Sequence, residues 1–136
     1  MANLCSNTVR IEGLDEDTLE AFTTLMSQDG KFFSFFIPAP DFSHDKTNFE
    51  LIGWRNANWG SKWDVGEAWV EVEDGVLTAS YDTAWAPHVE GYAKVAEMYP
   101  DAKFTLWYEE GGMGFRGKMV AQGNEMTDEC EDMVDN

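Results

Sequence analysis

The dipeptide Asp74-Gly75 separates two stretches in which apolar and polar residues alternate, "EAWVEVE" before it and "VLTASYDT" after it. Alternation with a period of two marks strands that turn one face to a core. Asp-Gly is a pair that a two-residue hairpin favours, because both turn positions tolerate positive φ. A lone hairpin is marginal in water, so these strands need partners and an apolar layer over one face.

The rest of the chain supplies both. "NTVRIEG" places Val9 and Ile11 against Thr8, Arg10 and Glu12, a half-buried strand. "LDEDTLEAFTTLMSQDG" follows as a helix, with Asp15 as its cap, Glu16 and Asp17 at its positive end, and Leu14 placed to staple onto Leu19. Its apolar stripe is Leu19, Phe22 and Leu25/Met26, and Gly30 suits a left-handed exit. Beyond the hairpin, Pro87 opens a second helix that presents Val89, Tyr92, Val95/Ala96 and Tyr99 before Pro100 stops it. "KFTLWYEE" sets Phe104, Leu106 and Tyr108 against Thr105, Trp107 and Glu109, and "GGMG" turns into a last strand, "FRGKMVA".

The order β-α-β-β-α-β, with a long insertion after the first helix and an extra final strand, is that of an α+β, ferredoxin-like domain. In this split β-α-β arrangement an antiparallel sheet carries both helices on one face. The domain is expected to span residues 1–122, with the insertion at 31–66. The remainder, 123–136, holds six acidic residues and no basic ones and reads as a disordered tail. Alternation puts Trp69 and Trp107 on the helix-free face, a large apolar area to leave wet. The insertion carries "KFFSFFIPAP" and "WRNANWGSKWD", and it is expected to fold over that face and seal it.

The blocks "MANLCSN", "FIPAP", "NWGSKWDV", "YDTAWAP" and "GGMGFRG" resemble, in this order over about residues 1–122, the YubB ferredoxin-like family. These are small proteins carried by bacteriophages, prophages and plasmids. The resemblance implies a ferredoxin-like fold and a mobile-element origin, and it implies no activity. One departure is Leu4, where the family's pattern often carries tryptophan.

Twenty-six acidic residues against nine basic ones give a formal charge of −17. Such a chain repels nucleic acid and anionic membranes and attracts basic surfaces. No apolar run is long enough to span a membrane and the start lacks a secretion signal, so a bacterial cytoplasm is expected. Cys5 and Cys130 stand near opposite ends and are expected as free thiols.

Catalytic signatures are thin. His44 and His88 lie far apart, "DFSHD" is a weak metal set, and no nucleophile elbow, phosphate loop or paired-cysteine motif is present. No enzyme activity, metal or cofactor is expected. The leading expectation is an accessory protein that inhibits a host nucleic-acid-binding defence complex, of anti-CRISPR or anti-restriction type. It would bind as a monomer or homodimer and offer the basic groove carboxylates in place of phosphates. The candidate carboxylates are Asp15, Glu16, Asp17, Glu20, Glu71, Glu73, Asp74, Glu109 and Glu110. The alternative is a pocket for a nucleotide-like ligand built from Trp54, Arg55, Trp59, Lys62, Trp63, Asp64, Asp82, Trp85 and Arg116. The same cluster also serves a scaffold, with Asp64 or Asp82 accepting indole N–H groups and the cations lying over tryptophan faces. Binding of extended nucleic acid is disfavoured, because removing the tail still leaves −11, from twenty acidic and nine basic residues.

Overall fold

A computed structural model describes residues 3–132. Six strands, β1 (Leu4–Glu12), β2 (Trp69–Glu73), β3 (Val76–Ala84), β4 (Lys103–Glu110), β5 (Phe115–Gln122) and β6 (Glu125–Asp132), form one sheet. Its order is β2-β3-β1-β4-β5-β6, with every neighbouring pair antiparallel. The helices are α1 (Glu16–Met26), α2 (Phe32–Phe36), α3 (Phe49–Trp59) and α4 (Val89–Met98). Asp74 and Gly75 both take positive φ, 52° and 78°, the primed turn whose twist matches its strands. The Asp15 carboxylate accepts the Thr18 amide at 2.7 Å and so caps α1.

Register fixes what each face carries. One row crosses the sheet as Val70, Ala79, Val9, Leu106, Met119 and Asp128. Ala79, Val9, Leu106 and Met119 in that row are wholly buried. The next row, pointing the other way, reads Trp69, Ser80, Thr8, Trp107, Lys118 and Glu129. Helices α1 and α4 lie over the first face, since Phe22 of α1 and Tyr92 of α4 both pack on Phe104.

The insertion corrects an expectation. It joins the helical layer and leaves the opposite face of the sheet open. Phe32 and Phe33 are wholly buried. Phe32 meets Phe22 at 5.4 Å between ring centres, and Phe33 meets His88 at 4.5 Å and Tyr92 at 5.0 Å. The physical reason lies in what each face offers. The helical side presents Phe22, Tyr92, Phe104 and Leu106, whereas the open side presents Ser6, Thr8, Arg10, Thr78, Ser80 and Thr105. Phenylalanine gains burial only against the former. Gly91 makes the fit possible, because a Cβ there would stand 2.6 Å from Phe33 Cε1.

The acidic tail is the second correction. Residues Glu125–Asp132 form β6, paired along its length with β5. Residues 133–136 of that tail lie outside the described residues. A two-residue loop, Gly123-Asn124, connects the strands, and Gly123 takes a φ of 60°, a primed hairpin again. Backbone hydrogen bonds to the free edge of β5 do not depend on side-chain polarity, which is why a run of carboxylates still forms a strand. Tyr108 reaches across Gly117 to give its hydroxyl proton to Asp128 at 2.5 Å, tying β6 to β4. Helix α4, the second helix expected from sequence, begins at Val89, later than the expected Pro87 start.

Candidate functional site

Most of the tryptophan cluster serves as scaffold. Trp59 is buried and donates its indole N–H to the Ile37 carbonyl at 2.9 Å. Trp54 meets Trp59 edge-on at 5.9 Å, and the Arg55 guanidinium lies 4.9 Å from the Trp59 ring centre. Asp64 does not serve an indole. Its carboxylate accepts the Phe33 and Ser34 amides at 2.8 Å each, the Ser34 hydroxyl at 2.7 Å and the Val65 amide at 2.7 Å. It therefore fixes the first turn of α2, and with it the buried phenylalanines.

The nine residues do not form one pocket. Arg55, Trp63, Asp64 and Asp82 line a shared cavity of about 310 Å³, and Trp63 is exposed there. Trp54 and Trp59 lie outside its lining, as do Lys62 and Trp85, and Trp85 takes a left-handed φ of 70° just past β3. Arg116 belongs to the open face of the sheet, where it pairs with Glu131 at 2.9 Å.

Three of the groups suited to acid–base or nucleophilic work, His88, Cys5 and Tyr108, are held in the scaffold. His88 is buried, its Nε2 donates to the Trp63 carbonyl at 2.6 Å, and its Nδ1 accepts from the Tyr81 hydroxyl at 2.8 Å. Tyr81 in turn accepts from Tyr92 at 2.6 Å, which completes a one-way chain of protons. Burial pushes the His88 pKa down to about 4, so the ring is neutral. Burial also pushes the Cys5 thiol up to about 12. Tyr108 is raised above the ordinary phenol range by burial and by the Asp128 acceptor.

The open face of the sheet carries the other constellation. Trp69 and Trp107 are 60% and 40% exposed and stand three strands apart in one row, about 14 Å at ordinary strand spacing. A basin of about 620 Å³ surrounds Trp107, Ser6, Thr8, Arg116, Lys118 and Glu129. Glu71, Glu73, Asp82, Glu109, Glu129 and Glu131 share this face by register. Of its cations, Arg10 lies 3.6 Å from Glu12 and Arg116 pairs with Glu131, Lys118 lies 5.9 Å from the Trp107 ring, and Lys103 stands beside Glu12 without an ion pair among the described residues.

The nine candidate carboxylates are split by this geometry. Glu71, Glu73 and Glu109 are on the open face, and Asp74 is in the hairpin turn beside it. Asp15, Glu16, Asp17 and Glu20 ride on α1, across the sheet. Glu110 is a correction: it is fully buried, and its two oxygens accept the Gly112 and Met113 amides at 2.7 Å each, holding the turn before β5. The sequence reading missed Glu129 and Glu131 because it left them in a tail. The Gly123-Asn124 pair ahead of them was the available signal.

Together these features define an open-faced α+β sandwich of the ferredoxin-like kind, one sheet face under helices and the other free. The family of ferredoxin-like domains in Api92-like proteins matches residues 58–136, more than half of the chain, and the chain belongs to that family. The match takes in the acidic segment that the YubB resemblance left out. Among solved structures, the chain is similar to the crystal structure of the protein Api92 from Yersinia pseudotuberculosis, with a TM-score of 0.51 and 16% identity. The alignment covers 63% of this chain and 31% of that one, so the likeness spans about a third of Api92 and bears on fold alone. No curated protein matches the chain. No helix among the described residues is long and apolar enough to cross a membrane.

Proposed function

We propose that this domain works by binding, and that it docks the open face of its sheet on a basic, nucleic-acid-binding surface of a host protein. The observation that carries this reading is the placement of Trp69 and Trp107, uncovered, on a face where carboxylates outnumber the cations Arg10, Lys103, Arg116 and Lys118. Exposed tryptophans of this kind make interface anchors, and rim carboxylates steer a basic partner. Inhibition of a host defence complex of the anti-CRISPR or anti-restriction type, by a protein of mobile-element origin, is the function that fits such a face. An open sheet with aromatic side chains also suits stacking of single-stranded bases. The balance of charge on the face and the −17 of the whole chain weigh against that.

The test is displacement of labelled duplex DNA from a purified restriction or CRISPR effector complex, followed by fluorescence anisotropy. Displacement should weaken steeply between about 0.1 and 0.5 M salt, across which the screening length shortens about twofold. Trp107→Ala and Trp69→Ala should each weaken it about tenfold or more. Displacement that is insensitive to salt and to both substitutions would remove the proposal.

A further inference from the structure

A second feature lies at the margin of the open face, which it meets at Asp82. Arg55 lines the cavity that it shares with Trp63, Ser34 and Asp82. In a chain with 26 acidic residues it makes no ion pair among the described residues. Its one hydrogen bond, to the Lys62 carbonyl, is long at 3.4 Å, and its Nε is buried without a partner. A guanidinium has five N–H donors, and a buried donor without an acceptor costs free energy. Asp64 is already committed, because its two oxygens accept the Phe33, Ser34 and Val65 amides and the Ser34 hydroxyl, which fills their four acceptor sites. Asp82, exposed on the lining of the same cavity, accepts no hydrogen bond from a described residue, so its carboxylate is free to take donors from a ligand.

We propose that this cavity binds a guanine-type base, presented as the neutral nucleoside. The guanine O6 and N7 accept from Arg55, which is the edge that arginine reads in a groove of DNA. Its N1–H and exocyclic amine donate to Asp82, and its ring lies on the exposed face of Trp63. Adenine places an amine where guanine has O6, so it meets Arg55 donor to donor. Inorganic phosphate or a nucleotide phosphate is disfavoured beside Asp82 and Asp29, which lines the same cavity. At about 310 Å³ the cavity falls at the small end of ligand sites, enough for one base and not for an oligonucleotide.

The experiment is titration of ¹⁵N-labelled protein with guanosine, adenosine, guanosine monophosphate and inorganic phosphate, reading the Trp63 indole and Arg55 Nε–H signals. Guanosine should shift both saturably, with adenosine at least tenfold weaker. Asp82→Asn, a change at an exposed side chain, should weaken guanosine about tenfold while the thermal midpoint holds. Arg55→Gln should abolish binding. No saturable shift with guanosine, equal affinity for adenosine, or tighter binding of phosphate alone would each overturn the proposal. Failure here is distinguishable from failure of the open-face reading, because Trp69 and Trp107 take no part in guanosine binding and Asp82 is the one residue the two surfaces share.

Discussion

Replacing Gly91 by alanine asks whether the insertion truly belongs to the helical layer. Gly91 lies inside α4, where alanine is favoured by about 1 kcal/mol on helix propensity alone. With Phe33 in place the added methyl would sit 2.6, 2.9 and 3.0 Å from three of its ring carbons. Ordinary carbon contacts fall near 3.5–4.0 Å, so the overlap is roughly 1 Å. Phe33 has no free direction of retreat, since Phe32, Trp59, His88 and Tyr92 surround it at 4.5–6.2 Å between ring centres. Overpacking of this kind costs about 1–3 kcal/mol, and an overlap of roughly 1 Å with no direction of retreat belongs to the upper half of that range, so a net loss of about 1–2 kcal/mol remains after the propensity gain. With a denaturant slope of about 2 kcal/mol per molar, the urea midpoint should fall by roughly 0.5–1 M. In a Phe33→Ala background the collision is gone, and the same substitution should raise the midpoint. A Gly91→Ala protein more stable than its parent would refute the placement of the insertion, because the two arrangements predict opposite signs.

Other expectations follow from the same contacts. His88 has its pKa held at about 4 against an ordinary 6.5, so the unfolded chain takes up a proton that the folded one refuses. Stability is therefore full above about pH 6.5 and falls as pH drops toward 4, by about 3 kcal/mol at about 1.4 per unit. The stability difference from His88→Gln should shrink by that amount between pH 7 and 4 in chemical denaturation, and a constant difference would contradict it. Asp64→Ala removes three hydrogen bonds that hold α2 and a fourth from the Val65 amide, and should lower stability by about 2–3 kcal/mol in urea titration, with loss of hydrogen-exchange protection at the Phe33 and Ser34 amides. Gly117→Ala would drive a methyl into the Tyr108 phenol and the Glu129 backbone, so β6 should lose amide protection first while β1 and β3 keep theirs.

Much of the site's framework was legible in residue order. The Asp74-Gly75 turn, the Asp15 cap and the alternation of "KFTLWYEE" each act within a few residues, and each appears where the pattern put it. Alternation also sent Trp69 and Trp107 to the helix-free side. Composition misled where it stood in for pairing. Five carboxylates between Glu125 and Asp132 suggested disorder, yet the two-residue loop and the open edge of β5 decided the outcome.

What the sequence determined by itself was local: periods, turns, caps and the identity of the two sheet faces. What only the tertiary structure decided was which surface the aromatic insertion would cover, and whether Arg55 would meet a carboxylate. Both depend on groups far apart in the chain. Asp64 bonds to Phe33 and Ser34 about thirty positions away, and once committed there it leaves the guanidinium beside it unanswered. Phenylalanine burial is non-directional, so no periodicity states where it will occur. The answer comes from which side of the sheet already holds apolar partners.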